Sequence, residues 1–224
     1  MDQMLIRGLV GTVLALVLIA FAAKRGWFLF ALARSGRQSV GRFTDPTIRV
    51  EAEATEVLGQ KKLLKWIVPG IAHVFAFWGF LVLGLTIIEA FGALYVADFA
   101  VPIIGTWAIV GFAEDLFAIL VLVGIAIFAL IRLTNDPRKD GRASRFFGSH
   151  TAGAWLILFM IFNVIWTLFL YRAAQVNTGV FPFPDGAFAS EYFATWLNGL
   201  SIHTNEWIET VGLWLNIGVI LVLL

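Results

Sequence analysis

The chain has 224 residues, 60% of them hydrophobic and 14% charged, with a formal net charge of +1 and no cysteine. That composition is too apolar for a soluble core under a polar shell and points to a membrane protein. The near-neutral balance argues against a nucleic-acid partner, and the lack of cysteine excludes disulfides, zinc thiolates and iron–sulfur clusters ligated within these residues.

Five apolar runs follow one another, near residues 4–23, 67–97, 106–133, 152–171 and 207–224. A helix needs about 20 residues to cross roughly 30 Å of hydrocarbon. The first four runs reach that length. The fifth still reads IGVILVLL at Leu224 with no polar flank, which predicts that the natural chain continues. In the first run, Arg7 and Ala20-Phe21-Ala22 imitate a secretory signal, but Lys24 and Arg25 follow at once and favour a retained span. Nine Trp and 21 Phe suit helix ends at the bilayer interface and tight packing between spans.

The basic residues orient the bundle. Lys24, Arg25, Arg34, Arg37, Arg42, Arg49, Lys61, Lys62 and Lys65 lie between spans one and two, and Arg132, Arg138, Lys139, Arg142 and Arg145 between spans three and four. The loops near 94–106 and 173–206 carry none beyond the border residue Arg172. Lys and Arg accumulate on the cytoplasmic side. The expected fold is therefore an all-α, five-helix, multi-pass protein of a bacterial plasma membrane. Its N-terminus lies outside and its C-terminus points to the cytoplasm.

Two segments outside the spans have readings of their own. Residues 51–66, EAEATEVLGQKKLLKW, set Val57, Leu58, Leu63, Leu64 and Trp66 among acids and lysines, the pattern of an interfacial helix. Between spans four and five, Pro182 and Pro184 forbid a helix. After them Phe188, Tyr192, Trp196 and Leu200 recur at i, i+4, which predicts a short interfacial helix over 187–199.

Charged and ligating side chains inside a bilayer are costly, so each is a functional candidate. His73 lies in the second span, about 10 Å in from its start. Gly70 and Gly79 flank it, and small residues beside an imidazole suit a flat macrocycle, so His73 is a candidate axial ligand to the iron of a haem b. The alternative is a histidine that packs helices and bonds a carbonyl. His150, with Arg142 and Arg145, stands at the inner lip of span four as a helix cap or a contact for haem propionates. His203 is at the opposite end and cannot pair with His73. The preferred second ligand is a histidine beyond Leu224. Carboxylates gather towards the outer side: Glu89, Glu114, Asp115, Glu206 and Glu209. Glu89, Asp115 and Glu209 are candidates for binding protons or a quinone headgroup, because quinone reduction takes two protons beside two electrons. Glu206 reads as a helix N-terminal residue favoured by the dipole. Asn163 reads as an interhelical hydrogen-bonding residue.

TEVLGQKKLLKWIVPGIAHVFAFWGF (55–80), RFFGSHTAGAWLILFMIFNVIWT (145–167), VNTGVFPFPDGAF (176–188) and NEWIET (205–210) are spread over most of the chain. In this order and spacing they resemble the membrane domain of the actinobacterial heterodisulfide reductase-related iron–sulfur reductase, a membrane electron-transfer-flavoprotein dehydrogenase. At the level of architecture, five spans also resemble the gamma subunit of respiratory nitrate reductase. The resemblance implies electrons passing from an electron-transfer flavoprotein through cytoplasmic iron–sulfur clusters, held after residue 224, to menaquinone, with His73 as a haem b ligand. The competing readings are a cofactor-free membrane anchor for a redox partner and, with less support, a transporter, which needs broken midplane helices.

Overall fold

The computed structural model describes residues 2–36, 45–135 and 151–223. In chain order its helices are α1 (Asp2–Arg34), α2 (Pro46–Glu53), α3 (Ile67–Ala93), α4 (Ala108–Thr134), α5 (Thr151–Thr178), α6 (Phe188–Leu197) and α7 (Ile202–Leu223). No strand occurs among the described residues. Five of the helices, α1, α3, α4, α5 and α7, are long and apolar enough to cross a membrane. The chain alternates between two ends of the bundle. The basic end holds the α1 C-terminus and the start of α3, and the far end holds the short α6.

Three boundaries depart from the apolar runs. α1 continues to Arg34, past the expected end near residue 23. α5 continues to Thr178 and so takes Arg172 inside a helix instead of leaving it at a loop border. α7 starts at Ile202 because the Ser201 hydroxyl accepts the Thr204 backbone N–H at 3.1 Å, the bond of a serine N-cap. Glu206 therefore lies past the first turn and is not the residue that opens the helix.

The segment 51–66 is not one helix. α2 stops at Glu53, a wide turn over Ala54–Leu58 follows, and a tight turn occupies Leu63–Lys65. Gln60, with φ of 49°, stands between them in the left-handed region, which ends a right-handed helix. Val57, Leu58, Leu63, Leu64 and Trp66 remain exposed, as a surface-lying segment requires. At the far end, α6 matches its expected place closely, and Pro182 and Pro184 sit in irregular chain.

α3 packs along α4, and α5 packs along both α7 and α6. The core where they meet includes Leu83, Ala118, Val121, Ile165, Leu168 and Leu213. In a bilayer, helix association relies on close packing and on interhelical hydrogen bonds. Gly79 lies so close to Val121 of α4 that a Cβ there would strike it, and Gly124 of α4 faces the Ala72 carbonyl in the same way. Gly79→Leu is expected to force the pair apart at a cost of about 1–3 kcal/mol, measured as a lower melting temperature in detergent. α5 and α7 are joined by Asn216, whose amide donates to the Val164 carbonyl at 2.8 Å and to the Thr167 hydroxyl at 3.0 Å. Asn163 instead turns back to the Phe159 carbonyl of its own helix at 2.8 Å, so the interhelical role expected of it belongs to Asn216.

Candidate functional site

The most polar place inside the bundle is built around Arg172. α3 ends only four residues after Glu89, α4 begins six before Glu114, and α5 ends six after Arg172. At 1.5 Å per residue, all three lie roughly 6–9 Å inside the far ends of their helices. The side chains converge there. Arg172 Nη2 donates to Glu89 Oε2 at 2.9 Å and to Glu114 Oε2, and Nη1 donates to Asp115 Oδ1 at 3.2 Å. Exposure is 0% for Glu114 and Asp115, 1% for Arg172 and 5% for Glu89, so the group is buried among the described residues.

Asp115 has a second task. Its Oδ2 accepts the backbone N–H groups of Ala189 and Ser190 at 2.8 Å each, and its Oδ1 accepts the Ser190 hydroxyl at 2.8 Å. Those amides belong to the first turn of α6, where N–H groups lack partners within the helix and the dipole favours an anion. One carboxylate thus ties α4, α5 and α6 together. The FPFP turn supplies the roof. The Arg172 guanidinium lies 5.6 Å from the Phe181 ring centre and 5.3 Å from that of Phe183, within the range of cation–π attraction. Phe183 packs in turn on Gly111 of α4.

Of the three residues singled out as proton or quinone ligands, Glu89 and Asp115 come together here and Glu209 does not. A cavity of only about 10 Å³ touches Glu89, Tyr171, Arg172 and Gln175. That is close to the space one water needs, and far too small for a quinone ring. Glu209 lies on α7, 3.8 Å from Arg7 of α1. Arg7 borders an open pocket of about 280 Å³ that His203, Glu206 and Trp207 also line. His203 is itself 3.8 Å from Glu206, and both are well exposed.

His73 is exposed on α3 near the basic end, its ring edge against Phe128 of α4 with centres 4.7 Å apart. The imidazole is open, but the glycines expected to clear a face for a haem serve the protein instead. Gly70 abuts the backbone of Leu63 and Leu64, and Gly79 abuts Val121. His203 is the only other described histidine and stands at the far end. His150, Arg142 and Arg145 lie outside the described residues. The described residues therefore offer one imidazole without a cradle or a second ligand, and do not build a haem site.

A roomier cavity lies elsewhere. α1 meets the rest of the bundle in its first half. Gly8 and Gly11 abut Tyr95 and Leu94, and the Thr12 and Tyr95 hydroxyls are 2.6 Å apart. From Ile19 onward every described α1 residue is exposed. An apolar groove of about 480 Å³ is left between α1, Phe91 of α3 and Leu221 of α7. Ala15, Ile19 and Ala22 line it, and Arg25 is the charged residue at its basic end. The Arg25 guanidinium also lies 5.4 Å from the centre of the Phe28 ring.

No family model, curated protein or solved structure matches the chain.

Proposed function

We propose that this chain is the membrane module of an oxidoreductase that passes electrons from a cytoplasmic electron-transfer flavoprotein, by way of iron–sulfur centres, to menaquinone. The observation that carries the reading is the groove beside α1. Its volume, about 480 Å³, falls within the range of roughly 300–1,000 Å³ typical of small-molecule sites. Its apolar wall suits an isoprenoid tail, and the Arg25 guanidinium is a hydrogen-bond donor for a quinone carbonyl. Arg25 borders the groove at the basic end, which the positive-inside rule assigns to the cytoplasm. A quinone there is close to a cytoplasmic donor and to water, from which the two protons accompanying two electrons are drawn. The sequence resemblance described above supports the same reading. The iron–sulfur centres belong outside this chain, which has no cysteine to hold them.

Hydrogen bonds to charged groups contribute about 1.5–3 kcal/mol. Arg25→Gln in the full-length protein is therefore expected to raise the KM for menaquinone about tenfold or more, while reduction of a soluble dye by the same donor is unchanged. Unaltered quinone kinetics would refute the placement.

The second reading, a membrane anchor that holds no cofactor, is favoured by the way Gly70 and Gly79 are filled by the protein's own atoms. A reduced-minus-oxidised optical spectrum of the full-length protein beside His73→Ala distinguishes the two. A b-type band lost in the variant makes His73 a ligand whose partner comes from outside the described residues. No band in either sample leaves the anchor reading, with quinone reduced directly by the cytoplasmic iron–sulfur centres.

A further inference from the structure

We propose that the Arg172 cluster is a proton-binding site, in which one exchangeable proton is shared between the carboxyl groups of Glu89 and Glu114. One guanidinium faces three carboxyl groups, and no other cation reaches the cluster among the described residues. Asp115 is the settled member. Its oxygens accept four hydrogen bonds, from Arg172, two α6 amides and the Ser190 hydroxyl, and it has the helix dipole in its favour.

Glu89 and Glu114 are not settled. Both accept from the same nitrogen, Arg172 Nη2, so their bonded oxygens lie within about 5 Å of each other. The second oxygen of each, Oε1, is buried without a hydrogen-bond partner. The Tyr171 hydroxyl is buried beside Arg172 and interacts with the same guanidinium. Each member of this pair of like groups on one donor thus keeps one buried oxygen without a partner. Two carboxylates held this close share a proton, as carboxyl pairs on one site do.

The surroundings define the ligand. The groups facing the pair are Asp115 from α4, Tyr171, Arg172 and Gln175 from α5, and Ser190 from α6, with uncharged Phe181 and Phe183 above. The adjoining cavity of about 10 Å³ admits no hydrated ion. It is bordered by Phe99 and Pro182, which belong to the far-end loops. Exchange therefore runs to that side of the membrane, away from the groove proposed for quinone, and the inference stands independently of that proposal.

Infrared spectroscopy of the full-length protein tests it. A protonated carboxyl absorbs in the carboxylic C=O region, which ionised carboxylates leave empty. The wild type is expected to show one such band that shifts in D₂O. Glu89→Gln and Glu114→Gln are each expected to remove it, because either change leaves the remaining carboxylate fully paired with Arg172. Loss in only one variant would overturn the sharing. A band untouched by both, or absent from the wild type, would overturn the site itself. A band that appears only when sodium is removed would make the ligand a metal cation and not a proton. Glu209→Gln controls for the other buried carboxyl, and the wild-type result decides even where a variant fails to fold.

Discussion

Arg172→Met is expected to unfold the bundle more readily than any other single change, at a cost of about 3–5 kcal/mol. The reason is what it leaves behind. The methionine fills much of the volume, but Glu89, Glu114 and Asp115, with exposures of 5%, 0% and 0%, lose the cation that all three address. A buried ion pair adds little net stability against a well-packed apolar substitute, whereas removing one partner strands the other. Arg172→Met combined with Glu89→Gln and Glu114→Gln is expected to recover most of the loss, since the remaining Asp115 keeps its α6 donors. Melting temperature and monodispersity of the detergent-solubilised protein measure both. A single variant as stable as the wild type would show that the guanidinium contributes little to holding the helices together.

The next largest effect is expected from Asp115→Ala, which removes the acceptor for two amides and a hydroxyl at the start of α6 together with one Arg172 contact. With hydrogen bonds to a charged group contributing about 1.5–3 kcal/mol each, α6 is expected to leave the bundle. Hydrogen exchange of its amides should accelerate at least a hundredfold. Asp115→Asn should behave differently. Its carbonyl oxygen still accepts from Ala189 and Ser190, and its NH₂ group then faces the Ser190 hydroxyl, which turns to accept, and Arg172, which cannot. Exchange in α6 is expected to stay slow while the melting temperature falls. Equal exchange in the alanine and asparagine variants would mean that α6 is held by its aromatic packing, such as Phe193 on Phe169 at 4.9 Å.

The spans and α6 were legible because hydrophobic length and i, i+4 spacing are local signals. The cluster was legible in part. Glu89 and Asp115 stand out in sequence because each is embedded in apolar residues. Arg172 does not, because it follows an apolar run directly and reads as the flank of a span. Only the continuation of α5 to Thr178 puts it inside. A signal did exist: three carboxylates near one end of a membrane bundle need a cation, and Arg172 is the only Lys or Arg from residue 146 to the end of the chain. The roles of Tyr171 and Ser190 depend on which helices become neighbours, and no spacing rule encodes that. The same holds for Gly70 and Gly79, whose smallness reads equally well as room for a cofactor and as room for a neighbouring segment of the chain.

The uneven attachment of α1 has a mechanical consequence. The helix is fixed to its neighbours at Gly8, Gly11 and Thr12 and exposed from Ile19 on. Arg25 lies 14 residues beyond Gly11, a lever arm of about 21 Å. A swing of about 5° around the anchored end therefore moves the guanidinium by about 2 Å. Helix tilt responds to hydrocarbon thickness. A thicker or thinner host membrane is therefore expected to change the clearance beside Arg25 without any change in sequence.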